Sequence, residues 1–326
     1  MCDYWRLANP KVMPVDLIAS LAPLILAEKP KSITLTGGEP LQHPHWPEIA
    51  DLFVREVPVY LCTNGIYLRK YMPLILKRFS RLLVSIDGAT EETFRQVRGV
   101  DGLEVIWSAL QDIKAANPKI RINIKMTIQK NNYFEIIEMI KCCLEKTWLD
   151  GVGFAIPDLS GMAFAHESSQ AQHYQNSVLL NPDEIERLET LVDRVYSDYG
   201  HLFRSGYIFE GNLERYVRRL KAVSNLGESP VPRQCSIPKY HMFVYPDGSI
   251  SGCFFLPKDT SAAEVVEYGS LGIKRMLSKR SDFDSGKEKI CGSCDQILFT
   301  NSPYESCGDQ CAAQQLAGRM SARLHS

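Results

Sequence analysis

The sequence predicts an α/β protein in which a parallel sheet, wound as a barrel or part-barrel, precedes a small cysteine-rich α+β domain. Short β-rich segments alternate with amphipathic segments through the first half of the chain, as right-handed crossover connections require. Apolar residues make up 45% and charged residues 23% of the 326 residues, which is typical of a globular enzyme. Six of the 10 cysteines lie between positions 235 and 311.

The predicted strands share a near-continuous apolar pattern, and the first three end in glycine or polar residues. The strands are 31–38, 57–65, 81–88, 120–132 and 151–157. Amphipathic stretches predict helices at 45–57, 90–100, 103–117 and 132–149. Ligands of α/β barrels bind at the carboxyl ends of the strands, so the three strand ends are expected to converge on one ligand. Each strand end taken singly is explained equally well as a turn.

The second half of the chain predicts three further features. A polar, irregular segment from 157 to about 182 is expected to form a loop over the barrel mouth. Helices are predicted at 181–200, where Asn181 is the cap and Pro182 lies in the first turn, and at 211–224. A Pro/Gly/Ser-rich hinge at 226–235 precedes a hairpin at 241–253. The predicted domains are therefore a part-barrel (1–157), a mouth loop with bridging helices (158–230) and a cysteine-rich domain (231–326).

Composition excludes several classes of partner. The formal net charge of -1 gives no reason to expect nucleic acid or an anionic membrane surface. The most apolar stretch, 15–29, is too short for a bilayer, and no secretory signal is apparent. The sequence therefore predicts a cytoplasmic protein. Because thiols stay reduced there, clustered cysteines indicate metal binding rather than disulfides.

The stretch TLTGGEPLQHP (34–44) and the opening Met1-Cys2-Asp3-Tyr4-Trp5 together carry a family resemblance. The chain resembles the radical S-adenosylmethionine (SAM) superfamily, whose members carry a GGEP motif after the second barrel strand. In that family a C-x3-C-x2-C loop after the first strand holds a [4Fe-4S] cluster through three thiolates.

By this resemblance, Cys2 is the third cysteine of the cluster loop. The first barrel strand and two cluster cysteines are then missing from the chain as given, and the five predicted strands are one short of the family's six. The fold class implied is a partial (β/α)6-type TIM barrel that lacks its first strand. Such a chain is expected to be inactive, because one thiolate cannot hold the catalytic cluster. The alternative is that Cys2 is an incidental terminal thiol.

The resemblance also implies the cofactor-binding residues, which lie at the first three strand ends: Gly37, Gly38, Glu39, Pro40, Asn64 and Ser85. The glycines and Glu39 are expected to hold the methionine amino group of SAM, while Pro40 fixes the turn. Asn64 and Ser85 are expected to face the SAM ribose or carboxylate. Lys125 either meets that carboxylate or is a barrel lysine whose ammonium reaches water.

The C-terminal cysteines resemble the SPASM/twitch extension of many radical SAM enzymes, which holds auxiliary [4Fe-4S] clusters. The preferred ligand set for one auxiliary cluster is Cys235, Cys253, Cys291 and Cys294. Cys307 and Cys311 then hold part of a second cluster or cap the first. The gap of 12 residues between Cys294 and Cys307 departs from the usual two-cluster pattern. Zinc on the same thiolates is the alternative.

The function predicted by the resemblance is that of a radical SAM enzyme. It would use a [4Fe-4S] cluster and SAM to generate a 5'-deoxyadenosyl radical that abstracts hydrogen from a peptide or small-molecule substrate. An electron donor such as flavodoxin or ferredoxin is implied, and neither nucleic acid nor membrane is expected as a partner. The alternative from another class is a truncated, non-catalytic iron-sulfur or zinc thiolate-binding protein.

Overall fold

The computed structural model describes residues 11–155, 157, 178–209, 213–224, 235, 237–281 and 284. Within these residues, six strands form one parallel sheet whose spatial order follows the chain. They are β1 (Ile33–Leu35), β2 (Val59–Thr63), β3 (Arg81–Ser85), β4 (Arg121–Thr127), β5 (Gly151–Ala155) and β6 (Ile208–Phe209). The predicted α/β class with a parallel sheet is therefore confirmed.

The count of five parallel strands was wrong, because β6 also joins the sheet. This strand is only two residues long and follows a long helix, so it carries no periodic pattern that a sequence could show. It is defined by pairing: Val152 aligns with Ile208 and Gly153 with Phe209. The strand count therefore gives no separate support for a missing first strand.

The helices follow the predicted alternation. They are α1 (Val15–Ala27), α2 (Trp46–Asp51), α3 (Leu68–Arg78), α4 (Glu91–Arg98), α5 (Leu103–Ala116), α6 (Ile136–Glu145), α7 (Pro182–Arg204), α8 (Leu213–Val223), α9 (Ile237–Tyr240), α10 (Ala262–Glu267) and α11 (Ser270–Ser281). All six predicted helices are confirmed, and Asn181 and Glu184 form a reciprocal capping box at the start of α7. Helices α1, α3, α9, α10 and α11 were not predicted.

The two faces of the sheet differ in chemistry. One face is apolar and packs on the helices: Leu82 and Val84 are fully buried, and a Cβ on Gly65 would meet both Val84 and Ile106 of α5. Residues that alternate with these form the opposite face, which is mostly half-buried and is called the polar face below. By strand register the polar face comprises Thr34, Tyr60, Cys62, Arg81, Leu83, Ser85, Arg121, Asn123, Lys125, Thr127, Gly151, Gly153, Ala155 and Phe209.

The C-terminal described part is a small antiparallel sheet with short helices. Its strands are β7 (Phe243–Val244), β8 (Ser249–Ser251) and β9 (Thr260–Ser261), so the predicted hairpin is confirmed. Gly248 closes the turn with φ +79°, a left-handed conformation that favours glycine. The hinge at 226–235, apart from Cys235, and most of the predicted mouth loop lie outside the described residues.

Helix α1 connects the two parts of the structure. It packs against α2 beside the large sheet and also against α10 and α11 of the C-terminal part. Just before α1, the carbonyl oxygen of Met13 lies 2.9 Å from Nε2 of His43, which follows the GGEP stretch. None of the helices in the described residues combines the length and the apolar character that crossing a bilayer requires.

Candidate functional site

Glu39 joins the ends of β1 and β2. Its Oε1 accepts hydrogen bonds from Thr63 Oγ1 (2.8 Å) and from the Leu41 backbone N–H (3.1 Å), and its Oε2 accepts one from the Asn64 N–H (2.7 Å). Burial raises the pKa of Glu39, and these three hydrogen bonds oppose the rise, as does the nearby positive charge of Arg98. The carboxylate is thus a cap and a cross-strand link, a structural role that the GGEP resemblance did not specify.

The glycines before Glu39 leave backbone open at the end of β1. Gly37 has φ +136°, a conformation that side chains rarely adopt, and among the described residues no atom beyond the adjoining residues lies within 4 Å of a Cβ built on Gly37 or Gly38. Both residues are exposed. A ligand can therefore approach their peptide groups directly, which is what the family requires of a loop that holds the amino group of SAM. The residues present fit that cofactor.

The remaining predicted cofactor residues lie at the same edge of the sheet. Pro40 begins the 3-10 turn Pro40–Gln42, which Glu39 caps. Asn64 directly follows β2, and its Oδ1 accepts a hydrogen bond from the Ile66 N–H (3.0 Å), so that oxygen forms a local turn. Ser85 is the last residue of β3 and is aligned with Lys125 of β4. The structure thus brings all six predicted residues to the carboxyl ends of three neighbouring strands.

A buried carboxylate–guanidinium pair lies beside these residues. Asp87 is fully buried, and its Oδ1 accepts a hydrogen bond from the Thr127 N–H (2.6 Å). Its Oδ2 lies 2.7 Å from Arg98 Nε, although the N–H is not aligned for a hydrogen bond. The positive charge of Arg98 also acts on Glu39. One guanidinium therefore favours the ionised form of Glu39 after β1 and pairs with Asp87 after β3. Sequence reasoning missed Arg98, since a cation in the last turn of a helix is ordinary.

Glu135 links the segments that follow β3 and β4. The side chain is 8% exposed and accepts hydrogen bonds from the Ala89 N–H (2.7 Å), Thr90 Oγ1 (3.0 Å) and Thr93 Oγ1 (2.7 Å). Nearby, the fully buried Asn132 donates from Nδ2 to the backbone oxygens of Asp87 and Thr127, both at 2.9 Å. Sequence reasoning missed both residues, because neither belongs to a motif. Their bonds fix the positions of the strand ends around the site.

Replacing Glu135 by glutamine should lower the free energy of unfolding by about 1–3 kcal/mol, because the amide presents a donor where a backbone N–H and two hydroxyls donate. Urea denaturation measures the change. The matched control is Glu138→Gln, since Glu138 lies on the exposed side of α6 and pairs with the exposed Lys141. Equal stability of the two variants would mean that Glu135 does not join the two segments.

Two of the predicted metal ligands, Cys235 and Cys253, lie close together. Burial raises the pKa of the Cys253 thiol, and the neighbouring Cys235 raises it further. Hydrogen bonds from the backbone N–H groups of Phe254, Phe255 and Leu256 to the sulfur oppose this rise, because they stabilise the thiolate. A turn that directs three N–H groups at a cysteine sulfur suits a metal-bound thiolate, since the ligand form of cysteine is deprotonated.

The other predicted ligands, Cys2, Cys291, Cys294, Cys307 and Cys311, lie outside the described residues. Among the residues that the structure does describe, no group of three or more His, Cys, Asp or Glu side chains is arranged to hold a metal ion. Cys143 is fully buried in α6. The ligand set of the auxiliary cluster therefore stays a prediction.

Comparison with known proteins establishes the class of this sheet. Residues 1–143 match the model of the Radical SAM superfamily, a range that includes the GGEP stretch and β1 to β4. The resemblance to the radical SAM superfamily recognised from the sequence is thereby confirmed for this part of the chain, and that superfamily uses SAM and a [4Fe-4S] cluster as cofactors.

Individual relatives cover parts of the chain. A GTP 3',8-cyclase from Pseudomonas fluorescens is 28% identical over 205 residues, which is 61% of this chain and 59% of that protein. An AdoMet-dependent heme synthase from Methanosarcina barkeri is 34% identical over 141 residues, which is 40% of this chain and 36% of that protein. The molybdenum cofactor biosynthesis protein moc-5 from Caenorhabditis elegans is 24% identical over 136 residues, or 40% and 22% of the two chains. The chain thus spans less than two thirds of the length of these relatives.

A solved structure resembles a larger share of the chain. SuiB from Streptococcus suis, crystallised with its precursor peptide SuiA, aligns over 87% of this chain and 64% of SuiB with a TM-score of 0.59. The sequence identity is 14%, so this likeness concerns the fold. It extends beyond the range that matches the superfamily model.

Proposed function

We propose that the protein is a radical SAM enzyme that abstracts hydrogen from a peptide or small-molecule substrate and carries an auxiliary iron-sulfur cluster. The observation that carries this proposal is the open glycine loop at Gly37 and Gly38, which lies at the carboxyl ends of a parallel sheet matching the Radical SAM superfamily. When bound, SAM and its [4Fe-4S] cluster supply a 5'-deoxyadenosyl radical to the substrate.

The residues at the strand ends have separate roles in binding the cofactor. The exposed peptide groups of Gly37 and Gly38 bind the methionine amino group. Glu39 holds the glycine loop against the end of β2 and places its carboxylate beside that amino group. Asn64 and Ser85 bind the ribose or the carboxylate from the next two strands. Pro40 fixes the turn, because its ring restricts φ where the 3-10 turn begins.

An auxiliary [4Fe-4S] cluster is proposed on Cys235, Cys253, Cys291 and Cys294, with Cys307 and Cys311 for part of a second. Support comes from the closeness of Cys235 to Cys253 and from the backbone N–H groups around the Cys253 sulfur. Cys2 is proposed as a ligand of the SAM-binding cluster on the sequence resemblance alone. An arrangement of this kind corresponds to the SPASM/twitch subgroup.

Two substrate classes remain within the proposal. The GTP cyclases among the relatives support a small molecule, whereas SuiB, crystallised with a precursor peptide, supports a peptide. In both cases an external electron donor such as flavodoxin or ferredoxin would reduce the cluster.

The test of the proposed function is release of 5'-deoxyadenosine. A form of the protein that carries all three cysteines of the cluster loop, reconstituted with iron and sulfide without oxygen and then reduced, should release 5'-deoxyadenosine from SAM. Replacing Cys2 by alanine should abolish the release. A reconstituted protein that stays colourless and leaves SAM intact would refute the proposal and favour a non-catalytic thiolate-binding protein.

The auxiliary cluster makes a separate prediction about metal content. Cys253→Ala should lose roughly four irons and the matching sulfide per chain relative to the unaltered protein, because one thiolate of the cluster is gone. Cys142→Ala is the control, since Cys142 lies on α6 and contacts Lys146. Anaerobic iron, sulfide and zinc analysis measures the outcome. Stoichiometric zinc without sulfide in the unaltered chain would rule out the cluster.

A further inference from the structure

A buried pair of opposite charges lies at the end of β3, next to the strand end that Glu39 joins. The Asp87 side chain is fully buried, that of Arg98 is 22% exposed, and Asp87 Oδ2 lies 2.7 Å from Arg98 Nε. Neither of these two atoms has a hydrogen-bond partner among the described residues. Asp87 therefore holds the guanidinium group, in the last turn of α4, by charge rather than by a directed hydrogen bond.

Strand register places this pair close to Glu39. Thr63 of β2 is aligned with Val84 of β3. Glu39 accepts a hydrogen bond from the residue after Thr63, which is Asn64, and Asp87 lies three residues after Val84. The backbones of Asn64 and Asp87 are then roughly 8 Å apart, from one strand spacing across the sheet and two residues along the chain. Charges at such a distance are not fully screened by salt, least of all where burial excludes water.

Arg98 is the charged group that acts on Glu39 within the described part of the chain. The groups that donate hydrogen bonds to this carboxylate belong to Leu41, Thr63 and Asn64, which carry no charge. Burial raises the pKa of Glu39, and the positive charge of Arg98 opposes that rise together with the hydrogen bonds. Ionisation of Glu39 therefore depends in part on a residue of α4.

Stability alone is a poor explanation for this buried pair. A buried ion pair seldom stabilises a fold more than uncharged side chains of similar size, because both ions lose their hydration. The Thr127 N–H donates to Asp87 Oδ1, and the side-chain oxygen of an asparagine at this position would also accept that bond. The charges themselves are therefore what the pair contributes at this edge of the sheet.

We propose that Arg98 is a positioning residue of the SAM site that acts through Glu39. From the last turn of α4 it supplies a positive charge beside the half-buried carboxylate, while Asp87 both anchors Arg98 and partly offsets its charge. The inference rests on the proposed function, in which Glu39 lies beside the methionine ammonium group. It adds a control on that site, because Arg98 and Asp87 together set the lowest pH at which SAM binds.

The two charges have opposite effects on Glu39. Arg98→Gln removes the cation, so Glu39 should take up a proton at a higher pH than in the unaltered chain. Asp87→Asn removes an anion and leaves the charge of Arg98 without its counterion, so the proton should be taken up at a lower pH. Because both changes break the same buried pair, a purely structural role would move the two titrations in the same direction.

The test is an NMR titration of the Glu39 carboxyl carbon in the full chain, labelled with isotopic glutamate and assigned from the signal that Glu39→Gln removes. The titration midpoint should rise in Arg98→Gln, fall in Asp87→Asn, and stay close to that of the unaltered chain in Arg98→Lys, which keeps the charge. Arg95→Gln is the matched control, since Arg95 is an exposed residue of the same helix that pairs with the exposed Asp101. Its midpoint should equal that of the unaltered chain.

A second comparison decides the question if Arg98→Gln does not fold, since that variant leaves a buried carboxylate without its cation. The double variant Asp87→Asn with Arg98→Gln buries no unpaired charge, and its Glu39 midpoint should lie above that of Asp87→Asn. This difference isolates the charge of Arg98. Single variants whose midpoints shift in the same direction, or a double variant whose midpoint coincides with that of Asp87→Asn, overturn the proposal.

The carboxyl titration requires neither the cluster nor SAM, so the two proposals can fail independently. Midpoints that separate as expected, in a chain whose reconstituted form binds no SAM, support the action of Arg98 on Glu39 and refute the proposed function. A reconstituted protein that releases 5'-deoxyadenosine although the midpoints do not separate overturns the role of Arg98 and leaves the proposed function standing. If both hold, the pH at which SAM affinity falls to half its plateau should rise in Arg98→Gln and fall in Asp87→Asn.

Discussion

Replacing Glu39 by alanine should weaken SAM binding roughly 10- to 100-fold, because in the proposed site the carboxylate positions the glycine loop and is the neighbour of the methionine ammonium group. The change leaves Leu41 N–H, Asn64 N–H and Thr63 Oγ1 without their shared acceptor. The free energy of unfolding should fall by about 1–3 kcal/mol for the same reason. Calorimetric titration with SAM and urea denaturation measure the two effects.

Glu48→Ala is the matched control, since Glu48 is an exposed carboxylate of α2 that pairs with the exposed His45. Its SAM affinity and stability should equal those of the unaltered protein. A Glu39→Ala variant with unchanged SAM affinity would show that the glycine loop does not need its link to β2.

The same residue gives SAM binding a pH dependence with a defined sign. Burial raises the pKa of Glu39 above its usual value of 4.5. SAM binding through the ionised carboxylate should therefore weaken as the pH falls through this raised pKa, and Glu39→Gln should remove that dependence. The effect on stability has the opposite sign: the native state holds the proton more tightly than the unfolded chain, so this contribution decreases as the pH rises through the same range.

Replacing Gly88 by alanine should lower the free energy of unfolding by about 3 kcal/mol or more, because the added methyl group overlaps backbone that cannot rotate away. The Cβ would lie 2.8 Å from both Phe94 Cα and the carbonyl carbon of Thr93, in the first turns of α4. The φ of Gly88 is ordinary, so the effect is one of space alone. Denaturant unfolding with circular dichroism measures it.

Gly38→Ala is the control for this change. In the part of the chain that the structure describes, no atom beyond the adjoining residues lies within 4 Å of its added Cβ. Its φ is not in the left-handed region, so stability should stay within about 1 kcal/mol of the unaltered protein. Comparable stability of Gly88→Ala and Gly38→Ala would mean that α4 does not approach the end of β3 as closely as described.

The sheet could be predicted from the sequence because its strands have recognisable local patterns. Val59–Thr63 and Arg81–Ser85 are β-rich runs bounded by turn residues, and each ends near glycine. Helix α1 was missed since nearly every position in it is apolar, which conceals the helical repeat of its buried residues, and since Pro23 lies within it. Strand β6 was missed because two residues, Ile208 and Phe209, carry no period and depend on pairing with β5.

In the candidate site, too, the residues of a local motif could be predicted from the sequence, whereas residues that act through tertiary contacts could not. Gly37, Gly38 and Glu39 belong to one contiguous motif, so the sequence was sufficient to propose them. Arg98 and Glu135 act across the fold: Arg98 is paired with Asp87, and Glu135 binds residues more than 40 positions earlier. Such partners follow from the three-dimensional arrangement and have no signature in the chain.

Helix α1 has a consequence for cooperativity. The same 13-residue helix packs against α2 on one side and against α10 and α11 on the other, and Met13 just before it contacts His43. Loosening the C-terminal part would therefore remove packing from a helix that also supports the segment after the GGEP stretch. The two parts are therefore expected to unfold together rather than in succession. If Cys235 and Cys253 bind the proposed cluster, that binding would also stabilise the glycine loop.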